Sequence, residues 1–174
     1  MMPPLSTRRL CLQPLVLQDV VAIREITSDP VFIQASHHCL MPTSDNQLLR
    51  WAIEQQKQHQ NGKSCCYAVR DSKGKALIGL VTLQQKVTLQ SKAERVELSY
   101  WLSPSYWRQG LMTEAISCVL NEWQRAYPQV IVYSNSNIKN LASIALLRKI
   151  GMQMMNTEDK NETREFVLGG KHKD

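Results

Sequence analysis

Between Arg108 and Thr113 the chain reads Arg-Gln-Gly-Leu-Met-Thr. A strand-like run, VELSYWL, precedes it, and a helix-like run, TEAISCVLNEWQRAY, follows. A glycine-containing turn that opens a helix presents backbone N–H groups with no intrahelical partner. The donors converge, and the helix dipole adds ~0.3 to 1 kcal/mol in favour of negative charge, so such a turn suits a phosphate. Arg108 supplies a full positive charge, and the segment contains no Asp or Glu to repel an anion. It is neither a Walker loop nor a dinucleotide fingerprint, since it lacks both Gly-Lys-Ser/Thr and GxGxxG. The bland alternative is a tight strand-to-helix turn with incidental polar residues.

Other residues carry possible chemistry. Glu97 lies in mid-strand on the same face as Ser99 and Trp101, opposite Val96, Leu98, Tyr100 and Leu102. It is a salt-bridge partner, an exposed strand residue, or a general base. Asn140 opens the segment NLASIALLRKIG, where Asn is a good N-cap worth ~1 kcal/mol, and Ser143 falls in the first turn. His37-His38-Cys39 reads as a polar loop or a substrate contact; adjacent positions rarely converge on one ion, so no metal is expected. The five cysteines show no CxxC spacing, which supports neither a disulfide framework nor a zinc site. Cys65 and Cys66 read as small apolar fillers. Asn161-Glu162-Thr163 matches a glycosylation sequon by pattern only.

The elements that must position these residues follow from periodicity. RLCLQPLVL reads as a first strand interrupted near Pro14, and QDVVAIREIT as a helix closed by Ser28-Asp29-Pro30. Ser44 or Asp45 caps a second helix through LLRWAIEQQKQHQ. CCYAVR and ALIGLVTL form a hairpin, and VELSYWL is a central strand stopped by Pro104. The third helix buries Ile116, Val119, Leu120 and Trp123 on one stripe. VIVYSN, then the helix from Asn140 closed by Gly151, then MQMMNT and TREFVL complete the chain.

With 174 residues, 43% hydrophobic and 21% charged, the chain is the size and composition of one globular domain. The domain is expected over 1–174, with its core at 5–168 and a short basic tail containing Lys171-His172-Lys173. No apolar run reaches the ~18 to 20 residues of a membrane span, and the N-terminus lacks the pattern of a secretory signal, so a cytoplasmic protein is expected. The net charge of +6 allows an anionic ligand, but its scattered residues form no basic stripe interleaved with aromatics, so no nucleic-acid partner is expected.

ELSYWLSPSYWRQGLMTEA followed by NSNIKNLASIALLRKIGM resembles the GNAT superfamily of acetyl-CoA-dependent N-acetyltransferases, in its RimJ/RimL-like branch. STRRLCLQPLVLQDVVAIREI is similar to that branch's opening strand and helix, so the resemblance covers nearly the whole chain. It implies a mixed α/β fold: a mostly antiparallel sheet splayed at the cofactor site, flanked by about four helices. The signature Gln/Arg-x-x-Gly-x-Gly/Ala falls on Trp107 to Met112, with Gly110 fitting strictly and Met112 standing where the family has a small residue. The resemblance assigns the coenzyme A pyrophosphate to the turn of Arg108, Gln109, Gly110, Leu111, Met112 and Thr113. The pantetheine arm falls to Trp101, Leu102 and Ser103, and the pantetheine or acetyl region to Asn140 and Ser143. Glu97 is the implied base; the tyrosine that many relatives use as the acid falls on Leu147, which leaves Ser143, a bound water or simple solvent protonation.

The expected reaction is direct attack of a primary amine on acetyl-CoA in a ternary complex, without metal. An α-amine of pKa ~8 needs only a weak base, acting directly or through water, whereas a lysine at ~10.4 costs about 4 kcal/mol to deprotonate at pH ~7.4. The acceptor stays open among a protein N-terminus (a ribosomal protein included), a polyamine, an aminoglycoside or another small amine, as does monomer against homodimer. The positive charge argues mildly against a highly cationic acceptor. The rival is a non-catalytic protein of the same fold that binds coenzyme A, or a protein or RNA partner, without turnover.

Overall fold

A computed structural model describes residues 2–35, 41–42, 44–62, 64–73, 75–85, 95–155 and 162–168. The order is β1 (Leu5–Ser6), β2 (Leu10–Pro14), α1 (Asp19–Thr27), α2 (Pro30–Ala35), α3 (Asp45–Gln60), β3 (Ser64–Asp71) and β4 (Leu77–Gln85). Then come β5 (Arg95–Leu102), a 3-10 turn (Pro104–Tyr106), α4 (Leu111–Ala126), β6 (Ile131–Asn137), α5 (Leu141–Lys149), β7 (Met152–Met154) and β8 (Thr163–Leu168).

Against an expectation of about four helices, the described residues form five. The additional one, α2, begins where Asp29-Pro30 was read as a stop. Asp29 Oδ1 accepts the Val31 N–H at 2.7 Å, and proline suits a first helical position because its missing N–H would go unpaired there anyway. The same dipeptide therefore ends one helix and starts the next. Of the two candidate caps for α3, Ser44 is the one used: its hydroxyl accepts the Gln47 N–H at 3.3 Å.

The strands form one sheet ordered β1-β2-β3-β4-β5-β6-β8-β7. Every pairing is antiparallel except β5 with β6. Alternation divides the strand residues between two cores. Cys65, Tyr67, Val69, Val96 and Leu98 join Ile116, Val119 and Leu120 of α4 and Leu147 of α5. Cys66, Ala68, Leu80 and Trp101 pack on the other face against Ile23, Phe32, Leu48 and Ala52 from α1, α2 and α3. Both adjacent cysteines are fully buried, one in each core. No described helix is long and apolar enough to cross a membrane.

One seam positions the site. β5 pairs with β6 only at Arg95–Ile131, Val96–Val132 and Glu97–Tyr133. Beyond Glu97, β5 stays with β4 as far as the Leu102–Gly79 pair, while β6 follows β8 to the Asn137–Thr163 pair. The two strands diverge, and at the fork the Ser134 hydroxyl donates to the Leu98 carbonyl at 2.9 Å. Gly79 keeps β4 tight against the outer half of β5: a Cβ there would lie 2.4 Å from the Trp101 carbonyl oxygen. An interior-strand glycine is weakening unless another backbone approaches closely, as here.

Candidate active site

The turn after β5 is shaped by two left-handed residues, Arg108 (φ 60°) and Gly110 (φ 72°). Gly110 is the N-cap of α4 and offers no side chain to cap it. Among the described residues, the N–H groups from Arg108 to Thr113 have no acceptor. They form an uncapped helix start of the kind that holds an anion. A non-glycine residue in the left-handed region costs roughly 1 to 2 kcal/mol, so Arg108 holds its place against local preference.

Arg9, from the segment before β2, fastens this turn. Its Nη1 donates to the Gln109 carbonyl at 3.0 Å, and its Nε and Nη2 reach Glu114 Oε2 at 2.7 Å each. Thr7 also donates to Glu114. Burial pushes the Glu114 carboxyl up, but the hydrogen bonds from Thr7 and Arg9 outweigh it and leave the group below its ordinary value. A carboxylate in the first turn of α4 is thereby paired away from the anion site.

A cleft of about 950 Å³ opens from this turn through the β5/β6 fork to the face covered by α2 and α3. That is at the upper end of the ~300 to 1,000 Å³ range of small-molecule sites. Of the sequence-predicted residues, Glu97, Trp101, Leu102, Arg108, Gly110, Leu111, Met112, Thr113, Asn140 and Ser143 all line it. Ser103 and Gln109 do not. The Ser103 N–H is already donated to the Ile78 carbonyl at 2.7 Å, and the Leu102 carbonyl accepts from Trp107 Nε1 at 2.6 Å. Met112 is 6% exposed and packed into the core with Ile116.

Asn140 caps α5 as its sequence position implies, accepting the Ser143 N–H at 3.0 Å. The Ser143 hydroxyl lies 2.9 Å from the Tyr100 hydroxyl and accepts from Ser136 Oγ at 3.0 Å. Burial outweighs the Ser143 hydrogen bond and pushes the Tyr100 phenol up to about 12, so it remains a neutral donor at any physiological pH. Of two facing hydroxyls the more acidic is the better donor, and a phenol is far more acidic than a serine. Either hydroxyl of this pair can donate; with Tyr100 as the donor, Ser143 Oγ accepts from both Tyr100 and Ser136 and its one proton is left for the cleft. Leu147 is fully buried in the core behind them.

Glu97 sits at the last paired position before the fork, half-buried, with Oε1 accepting from Asn135 Nδ2 at 3.1 Å. Among the described residues lining the cleft, it is the one carboxylate and Arg108 the one cation. The loop His37-His38-Cys39, the Asn161 sequon position and the basic tail lie outside the described residues. No group of metal-binding side chains occurs among the described residues.

Sequence reasoning missed Arg9, Tyr100 and Ser136. Tyr100 was placed on the core face by alternation, and nothing local reveals a hydroxyl partner on a helix 43 residues away. Arg9 carried a weak signal, as part of a basic pair, but its partner is 105 residues distant.

The chain matches the acetyltransferase (GNAT) domain family over residues 9–153. No curated protein matches it. Among solved structures, a GNAT-family acetyltransferase of Bordetella pertussis is similar at 15% identity and a TM-score of 0.76, covering 95% of this chain and 97% of that one. A RimL ribosomal L7/L12 α-N-protein acetyltransferase in complex with coenzyme A is similar at 16% identity and a TM-score of 0.74, covering 96% and 97%. The ribosomal-protein-S5-alanine acetyltransferase of Vibrio fischeri is similar at 12% identity and a TM-score of 0.73, covering 97% of each chain. At these identities the likeness is one of fold. The family match covers most of the sequence, and its members use acetyl-CoA, for which the unpaired N–H groups of the turn and the forked cleft provide the matching donors and space. The chain belongs to the GNAT family of acetyltransferases.

Proposed function

We propose that the protein transfers the acetyl group of acetyl-CoA to a primary amine, a protein N-terminal α-amine or that of a small molecule, by direct attack in a ternary complex. The observation that carries this reading is the uncapped run of N–H groups at Arg108 to Thr113, opening into a cleft that crosses the sheet at the β5/β6 fork. When bound, acetyl-CoA supplies an activated thioester. The turn holds the pyrophosphate, with Arg108 adding charge and Arg9 fixing the backbone. The outer half of β5 beside the fork, at Trp101 and Leu102, is paired with β4 on its other edge and would lie along the pantetheine arm.

Glu97 takes the proton of the attacking amine through a water molecule, held in orientation by Asn135. Ser143 directs its hydroxyl proton toward the departing sulfur, oriented by Tyr100 and Ser136. A thiol is acidic enough (compare a cysteine at ~8.5) that donation of a hydrogen bond to it suffices. Met112, packed into the core, leaves the turn's backbone to the phosphates. Two of the similar structures are acetyltransferases of ribosomal proteins, which supports starting with peptide N-termini as acceptors.

Calorimetric titration with acetyl-CoA, followed by mass spectrometry of candidate amines, tests the reading. One-to-one binding that Gly110→Trp removes in a variant with native circular dichroism, together with an acetylated product, is the expected result. Binding without acetylation of any amine would favour the non-catalytic alternative. No binding at millimolar acetyl-CoA would overturn both.

A further inference from the structure

The C=O and N–H of the trans peptide between Leu102 and Ser103 point to opposite sides of the strand. Ser103 sends its N–H toward β4, to the Ile78 carbonyl at 2.7 Å, so the Leu102 carbonyl faces the fork. This alternates along the strand: backbone groups of Leu98, Tyr100 and Leu102 face the fork, and those of Ser99 and Trp101 face β4. The Thr82 hydroxyl on the Ser99 carbonyl at 3.1 Å agrees with that division. Two of the three fork-side carbonyls are filled by side chains, Leu98 by Ser134 at 2.9 Å and Leu102 by Trp107 Nε1 at 2.6 Å. The Tyr100 carbonyl between them has no partner among the described residues.

Trp107 also adjoins the anion turn, whose first left-handed residue is Arg108. From Leu102 the chain passes through the 3-10 turn, with Tyr106 N–H on the Ser103 carbonyl at 2.9 Å and Trp107 N–H on the Pro104 carbonyl at 3.1 Å. The indole bond then closes this loop back onto Leu102. Leu102 is a fixed point, since it pairs with Gly79 where β4 and β5 are tightest. The Trp107 ring is seated against the core and lines the cleft. We propose that Trp107 is a positioning residue that sets the spacing between the anion turn and the open backbone at Tyr100. This rests on the acetyl-CoA reading given above, in which the phosphates take the turn and the arm takes the fork edge. A ligand held at two points gains from the second contact only as far as the spacing matches it, and a spacing fixed in advance lowers the ordering cost. A ligand held by the turn alone does not sense the spacing. Without the indole N–H the loop loses its closing bond, while Arg9 still holds the Gln109 carbonyl at 3.0 Å, so the turn keeps its own shape.

The test compares two ligands by calorimetry: acetyl-CoA, and adenosine 3′-phosphate 5′-diphosphate, which is coenzyme A without its pantetheine arm. Trp107→Phe keeps an aromatic ring and deletes the donor; Trp107→Leu serves the same purpose if the phenylalanine variant does not fold. In the variant acetyl-CoA should bind about three- to tenfold more weakly, the equivalent of ~0.6 to 1.4 kcal/mol and the size of one hydrogen bond. The armless nucleotide should bind within about twofold of wild type. Equal weakening of both ligands would make Trp107 a part of the turn's own folding and overturn the spacing role, as would no change in either. Binding of the armless nucleotide to the wild type that Gly110→Trp removes secures the turn as the phosphate site whichever way the Trp107 comparison falls. Its failure to bind the wild type overturns the phosphate reading and the spacing role together.

Discussion

Replacing Tyr100 by phenylalanine removes one oxygen and, with it, the donor that faces Ser143 Oγ at 2.9 Å. The ring stays in place between β5 and α5, so packing changes little. Ser136 still donates to Ser143 at 3.0 Å, but one lone pair of Ser143 is released and its proton is no longer confined to the cleft. A neutral hydrogen bond contributes ~0.5 to 1.5 kcal/mol, which is roughly a 2- to 12-fold loss in kcat. The KM and Kd for acetyl-CoA should hold, because the turn at Gly110 is untouched. Because the phenol titrates only near 12, its loss should leave the pH–rate profile between pH ~6 and 9 unchanged in shape. The assay is a double-mutant cycle with Ser143→Ala, following acetylated peptide by mass spectrometry. If Tyr100 acts through Ser143, its replacement should have almost no further effect in the Ser143→Ala background. A full, additive loss there would refute the orientation argument and make Tyr100 a direct donor.

Three further outcomes are expected. Gly79→Ala should destabilise by ~1 to 3 kcal/mol, measured by urea unfolding, because the new Cβ meets strand backbone rather than a movable side chain. Met112→Ala should cost ~2 to 5 kcal/mol of stability as a large-to-small core change, with acetyl-CoA affinity by calorimetry essentially unaltered. His59 is buried, with Nε2 on the Met2 carbonyl at 3.1 Å and Nδ1 accepting the Cys66 N–H at 3.3 Å. Burial lowers its pKa from 6.5 despite the opposing Met2 contact, so folding favours the neutral ring. Its stabilisation is complete above about pH 6.5 and is lost as pH falls below it. The melting temperature of the wild type should therefore drop more steeply between pH 6.5 and 5 than that of His59→Gln.

The parts of this fold legible in the sequence are those fixed by local rules. α4 shows its apolar stripe, Asn140 its cap, and β5 its alternation, which assigned Glu97, Ser99 and Trp101 correctly to one face. The turn at Gly110 was legible because a glycine at a strand-to-helix joint is chemically restrictive. What the sequence hid is pairing at a distance. Ser103 was expected beside the cofactor, yet β4 claims its N–H through Ile78, and no local signal names that neighbour. α2 was hidden for a different reason: Asp-Pro is both a stop and a start, and six residues are too few for periodicity to decide.

Three backbone rungs hold the leaf of β6, β8 and β7 to the rest of the sheet, assisted by Ser134 and by Arg95, which spans to Glu165 at 2.8 Å. This is a tear line through an otherwise continuous sheet. A ligand lodged in it touches both leaves and works as a removable cross-link, adding ~2.7 kcal/mol against unfolding at a hundredfold excess over its Kd. Each round of catalysis would therefore mend and reopen the same tear. Amide exchange at Ile131 to Tyr133, slow when the notch is filled and faster when it is vacated, would make the occupancy of the enzyme readable from its own backbone.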